Sequence, residues 1–196
     1  MPILGTVASQ FSGKPFAVAS FESIATVTVG SGGTSSASFD SIPNTYKHLQ
    51  IRWIARSNYP GSSNIISMFL RLNGDSGSNY SWHYINADPP TLSAGGVANA
   101  GSILVSYLPA SGYTSGMFGT GVIDILDYNK TSTYKTVRTF GGCDTNNTGG
   151  EKGIVSFSIG NWRSTSAISS ITLANASDLS NGLTQYSEFS LYGIKG

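Results

Sequence analysis

Between Tyr46 and Arg56 the chain alternates: Leu49, Ile51, Trp53 and Ala55 take every second position, while His48, Gln50, Arg52 and Arg56 share the other parity. Successive side chains of a strand point to opposite faces, so this pattern predicts a strand with one face in a core. A helix would scatter the same apolar residues around its circumference. Pro43 and Asn44 before the run, and Asn58, Pro60 and Gly61 after it, supply turn chemistry. The segment reads as a central strand of an all-β domain.

The same period recurs along the chain. Ala25, Val27 and Val29 alternate with Thr26 and Thr28, and GSGG at 30–33 predicts a hairpin turn into a return strand carrying Ser35, Ala37 and Phe39. Residues 65–72 place Ile66, Met68, Leu70 and Leu72 on one face. Asn73-Gly74 then predicts a second hairpin into 79–85, where Tyr80, Trp82 and Tyr84 oppose Ser81 and His83. The tract 88–101, with Pro89-Pro90 and Gly95-Gly96, reads as a long surface loop. Further strands are expected at 102–108, 118–126, 134–140, 154–162, 168–173 and 188–194. Many short strands and no amphipathic helix point to an all-β, two-sheet β-sandwich, jelly-roll-like, over residues 23–196. Residues 1–22 read as an extended N-terminal arm. Its Ile3, Leu4, Val7, Phe11 and Phe16 would be a liability if exposed, so they pack either on their own domain or on a neighbouring subunit.

Composition narrows the function. Charged residues make up 11% of the 196, against roughly 25% in ordinary soluble domains. The surface must therefore be polar without being charged. A net charge of +1 implies no pull toward nucleic acid, and no apolar run is long enough to insert in a bilayer. With Cys143 as the only cysteine, neither an intrachain disulfide nor a cysteine metal cluster can form. The N-terminus lacks the basic and apolar regions of a secretory signal, which suggests release by lysis or carriage on a particle.

Candidate chemistry is sparse. There is no Gly-x-Ser-x-Gly, and His48 and His83 both fall within strands. Asp124 and Asp127, three apart, point to opposite faces of an extended chain and do not form a glycosidase pair. The oxygen-rich turns Asn73–Asn79 and Asp144–Glu151 lack the spacing of a calcium loop and read as ordinary turns. No catalytic residue, metal site or cofactor is assigned. The aromatic run 79–84 is the best binding candidate: Tyr80, Trp82 and His83, together with Tyr59, are the candidate contacts for a glycan or receptor. Tyr80, Trp82 and Tyr84 share one face, however, which is also how a strand fills a sandwich core, and core is the preferred reading of that face.

Several stretches carry a family resemblance: MPILGTVAS, SIATVTVGSGG, FDSIPNTYKHLQIRWIAR, RLNGDSGSNYSWHYI, VIDILDYNKTSTYKTVR and the terminal FSLYGIKG. Together they resemble a family of structural proteins of tailed bacteriophages. The resemblance implies a non-enzymatic virion component and brings no catalytic residues. The expected role is a short tail fibre or adhesin-like appendage attached by its arm. A capsid decoration (cement) protein is the nearest alternative, and a tail-associated glycan-cleaving enzyme a remote one. Expected partners are other virion proteins, further copies of the chain (a trimer being one candidate state) and a host surface glycan.

Overall fold

The computed structural model describes residues 20–60, 65–146, 153–175 and 182–196. Its first six strands are β1 (Phe21–Thr28), β2 (Ala37–Phe39), β3 (His48–Ala55), β4 (Ile65–Leu72), β5 (Tyr80–Asp88) and β6 (Thr91–Ala100). The others are β7 (Ile103–Pro109), β8 (Gly119–Leu126), β9 (Lys135–Asp144), β10 (Gly153–Trp162), β11 (Ile171–Asn175) and β12 (Glu188–Ile194). They form two antiparallel sheets, a large one ordered β1-β12-β3-β8-β9-β10-β5-β6 and a small one ordered β2-β11-β4-β7.

The topology is that of a jelly roll with two insertions. Without the hairpins β5–β6 and β9–β10, the remaining strands, renumbered in order, pair as 1-8-3-6 and 2-7-4-5. That is the double Greek key expected of this fold. Both hairpins add to one edge of the large sheet.

β3 lies between β12 and β8 in the middle of the jelly-roll part of that sheet. Its Leu49, Ile51, Trp53 and Ala55 are buried, as the alternation predicts. They meet Met68, Leu70 and Leu72 of β4 and Ile171 and Leu173 of β11 in one core. Each large apolar side chain so enclosed contributes about 1.5–3 kcal/mol.

Two buried cations hold loops onto this frame. Lys135 Nζ donates to the carbonyls of Lys130 (2.6 Å), Thr133 (3.0 Å) and Thr165 (3.1 Å). The Arg56 guanidinium donates to the carbonyls of Ser111, Tyr113, Thr114 and Met117. Burial pushes both pKa values down. Backbone oxygens, not carboxylates, compensate the two charges.

Three sequence expectations need correction. The glycine turn at 30–33 does not join a hairpin, because β1 pairs with β12 and β2 pairs with β11 in the other sheet. Asn73-Gly74 does adopt positive φ at both residues, and Asp75 N–H closes the turn on Leu72 O at 3.0 Å. The strands it joins, β4 and β5, nevertheless lie in different sheets. The tract 88–101 is no loop: Asp88 pairs with Thr91 around Pro89-Pro90, and β6 runs to Ala100 along β5. A strand of Gly, Ala, Ser and Asn pairs through its backbone and leaves little side-chain period to read.

Smaller differences concern boundaries. β1 begins at Phe21, ahead of the expected first strand at Ile24, and a bulge between Ser23 and Ala25 turns Ile24 to the core and leaves Ala25 exposed. β9 continues through Gly141-Gly142 to Asp144, and β11 starts at Ile171 and not at Ile168.

Candidate interaction face

The outer face of the large sheet divides into a polar half over β1, β12 and β3 and an apolar half over the inserted hairpins. In the apolar half one row crosses five strands: Val122 pairs with Phe140, Phe140 with Phe157, Phe157 with Ile85, and Ile85 with Ala94. Phe140 is 55% exposed, Ile85 54% and Phe157 38%. Val155, Ala87 and Leu92 form a row on one side, and Ile159 lies beside Phe157 on the other. Scattered exposed apolar residues are ordinary, whereas contiguous patches mark contacts.

Packing on the inner side explains why these strands turn their largest side chains outward. Trp162, at the end of β10, is buried, donates from Nε1 to Asp75 Oδ2 at 2.7 Å and stacks on Tyr80 at 6.3 Å. Trp162 and Tyr80 are paired neighbours and fix the parity of β10 and β5. With Trp162 inside, Gly160, Ser158 and Ser156 must also face inward, and Phe157 outward. β7 crosses close beneath them. Thr139 Oγ1 donates to Val105 O at 2.6 Å, and a Cβ on Gly160 would collide with Ile103. Only small side chains fit there. The hydroxyls of Ser156 and Ser158 have no hydrogen-bond partner among the described residues, so these serines are there for their size.

The polar half is stitched to itself. Asp124 accepts from Gln50 Nε2 at 2.8 Å and from Arg138 Nη2 at 2.7 Å. Arg52 donates to Gln50 Oε1 at 3.1 Å and lies over the rings of Phe21 and Tyr192, 5.1 and 5.3 Å from their centroids. At the sheet edge Lys195 Nζ and Tyr46 Oη donate to Glu22, at 2.5 and 3.1 Å, and hold its carboxyl below the usual range. A groove of about 470 Å³ opens beside Phe140 and Val155, lined by Phe118 and Thr120 and floored by Gly121, Gly141 and Gly142.

The predicted contact residues do not come together on this surface. Tyr80 is fully buried; its hydroxyl accepts from Leu72 N–H at 3.1 Å, and burial pushes its pKa up to about 12. A buried ring presents nothing to a glycan, so its role is packing. Trp82 also faces inward, 6.4 Å from Phe69. His83 projects to the other side of the same strand, beside Ile159. Tyr59 is half-buried after β3, with its carbonyl accepting from Ser111 Oγ at 2.7 Å. Ile3, Leu4, Val7, Phe11 and Phe16 lie outside the described residues.

The candidate acids and bases are engaged structurally. His48 Nδ1 accepts the Asp127 N–H at 3.0 Å, and the Asp127 carboxylate lies 3.1 Å from Lys47 Nζ. Asp75 accepts from Trp162, Asn79 and Gly77 N–H within its turn. Among the described residues no three His, Cys, Asp or Glu side chains gather into a metal-binding group.

The outward row escapes a simple reading of periodicity, because Val155, Phe157 and Ile159 look like core residues. The available signal was Trp162, on the opposite parity of that strand. Both sets cannot face the same core. Comparison with protein-family models, with curated proteins and with solved structures found no match.

Proposed function

We propose that this chain is a non-enzymatic structural protein of a tailed-bacteriophage virion, displayed as a short tail-fibre or adhesin-like appendage. The observation that carries the reading is the contiguous apolar row Val122–Phe140–Phe157–Ile85 on the outside of a well-packed jelly roll. Such a surface is made to be covered by protein. The sequence resemblance to phage structural proteins supplies the particle on which it is covered. The N-terminal arm attaches the domain: Ser20 enters at edge strand β1, where its carbonyl accepts the Lys195 N–H at 3.0 Å. That edge is opposite the inserted hairpins.

Mass spectrometry of gradient-purified particles, with immunogold labelling of the domain, tests the assignment. The protein should co-purify with intact particles, and its label should decorate the tail tip. Its absence from particles would end the reading. Copy number separates the appendage from a capsid decoration protein, a few to tens per particle against hundreds. Incubation with host surface polysaccharide should yield no shortened chains; cleavage would favour a tail enzyme instead.

A further inference from the structure

We propose that the apolar half of the large sheet's outer face is where two copies of this chain meet. The proposal names the occupant of the face and rests on the reading of that face as an assembly surface.

Shape is the first argument. Phe140, Phe157 and Ile85 stand out from the sheet, and the glycine-floored groove of about 470 Å³ lies directly beside Phe140 on the same face. A two-fold contact requires one patch to be complementary to itself. Protruding aromatic side chains next to a notch meet that condition, because each copy can place its ring in the other's groove. Buried aromatic anchors seated in pockets are also what dominates binding energy at interfaces.

Charge is the second. The outward positions of β10 and β5 within the patch are Val155, Phe157, Ile159, His83, Ile85 and Ala87, and β6 (TLSAGGVANA) carries no charged residue. The flanking Asp124 and Arg138 neutralise each other at 2.7 Å, and the chain carries a net +1. Two copies therefore do not repel.

Area is the third. The apolar row spans five strands, β8 to β6. At about 4.8 Å per strand and roughly seven residues of about 3.4 Å each, that part of the sheet is a plane of about 570 Å², and its protruding side chains raise the accessible area above that of the plane. A standard interface buries about 800 Å² per partner. The Arg52–Gln50–Asp124–Arg138 network borders the apolar patch on its β3 side and supplies a polar margin there.

The test is sedimentation velocity of the full chain over a wide concentration range, with Phe157→Asp, Ile85→Asp and, on the opposite sheet, Ser38→Asp. The wild type and Ser38→Asp should self-associate. Phe157→Asp and Ile85→Asp should weaken association at least about thirtyfold, as loss of an interface hot spot does. Circular dichroism should show all three variants folded, since each position faces outward. A wild type that stays monomeric throughout would overturn the proposal, as would Phe157→Asp and Ile85→Asp variants that associate normally. A chain lacking residues 1–19 should still associate; if it turns monomeric, the N-terminal segment is the occupant and the proposal fails. Self-association by a protein missing from particles would sink the virion reading alone, whereas a monomer that enters particles would sink this inference alone.

Discussion

Phe140 and Phe157 oppose each other across the β9–β10 ladder on the outside of the sheet, while their neighbours Thr139 and Ser158, equally opposed, are sealed inside. A two-residue period allows only this arrangement or its inverse. The inverse would drive two phenyl rings into the space occupied by β7. The close approach of the sheets thus creates the exposed apolar face, by leaving the large residues nowhere else to go.

The same closeness surrounds Trp53. A Cβ on Gly121 or Gly141 would lie 2.7 Å from Trp53 Cζ2; at Gly141 the indole is the nearest obstacle, whereas at Gly121 the Phe140 carbonyl is nearer still, at 2.5 Å. Trp53→Ala should cost about 3–5 kcal/mol, and Gly141→Ala about 1–3 kcal/mol through overpacking. In a Trp53→Leu background the Gly141→Ala penalty should shrink, leaving the part due to Thr120 O at 2.8 Å and Ser106 Oγ at 2.9 Å. Urea unfolding of the four proteins measures the coupling. Fully additive losses would mean that the indole is not what excludes a side chain at residue 141.

Lys135 makes a different prediction. Its ammonium is enclosed and satisfies three carbonyls from two segments of chain. Lys135→Met keeps the stem but leaves those oxygens unpaired, which should cost on the order of 3 kcal/mol. Amide exchange should rise around residues 130–133 and 165 before the core responds. Unchanged protection there would show that the loops are held by other contacts.

Acid should weaken the turn that anchors Trp162. The hydrogen bond from Trp162, followed by those from Asn79 and Gly77, holds the Asp75 carboxyl below its ordinary value. A depressed folded-state pKa contributes stability above the unfolded value near 4, and that contribution disappears as pH falls through the folded one. Asp75→Asn should therefore melt below the wild type at pH 7, with the gap closing as pH drops below about 4. Thermal melts across that range check it. A gap independent of pH would place the effect in sterics and not in charge.

Much of the framework was legible from residue order. β3, β4 and β12 alternate cleanly because one face of each is core and the other meets solvent, and their bounds lie within a residue or two of the periodicity. The all-β class followed from many short alternating runs. Even the Asn73-Gly74 turn was legible as a turn, since its positive φ angles are a local property of those two residues.

What lay beyond the sequence depends on which strands meet. Turn chemistry reverses the chain but does not say whether the next strand joins the same sheet, so both expected hairpins became crossings between sheets. β6 was invisible because backbone pairing to β5 imposes no side-chain pattern on it. Alternation in β10 fixed two sets of residues but not which set was inside. That choice was made by Trp162 on Tyr80, and by β7 crossing beneath Ser156, Ser158 and Gly160 at a distance only small side chains allow. Parity is local, but the space available to each parity is set by residues far away in the chain. Only the packed tertiary structure could place Phe140, Phe157 and Ile85 on the surface.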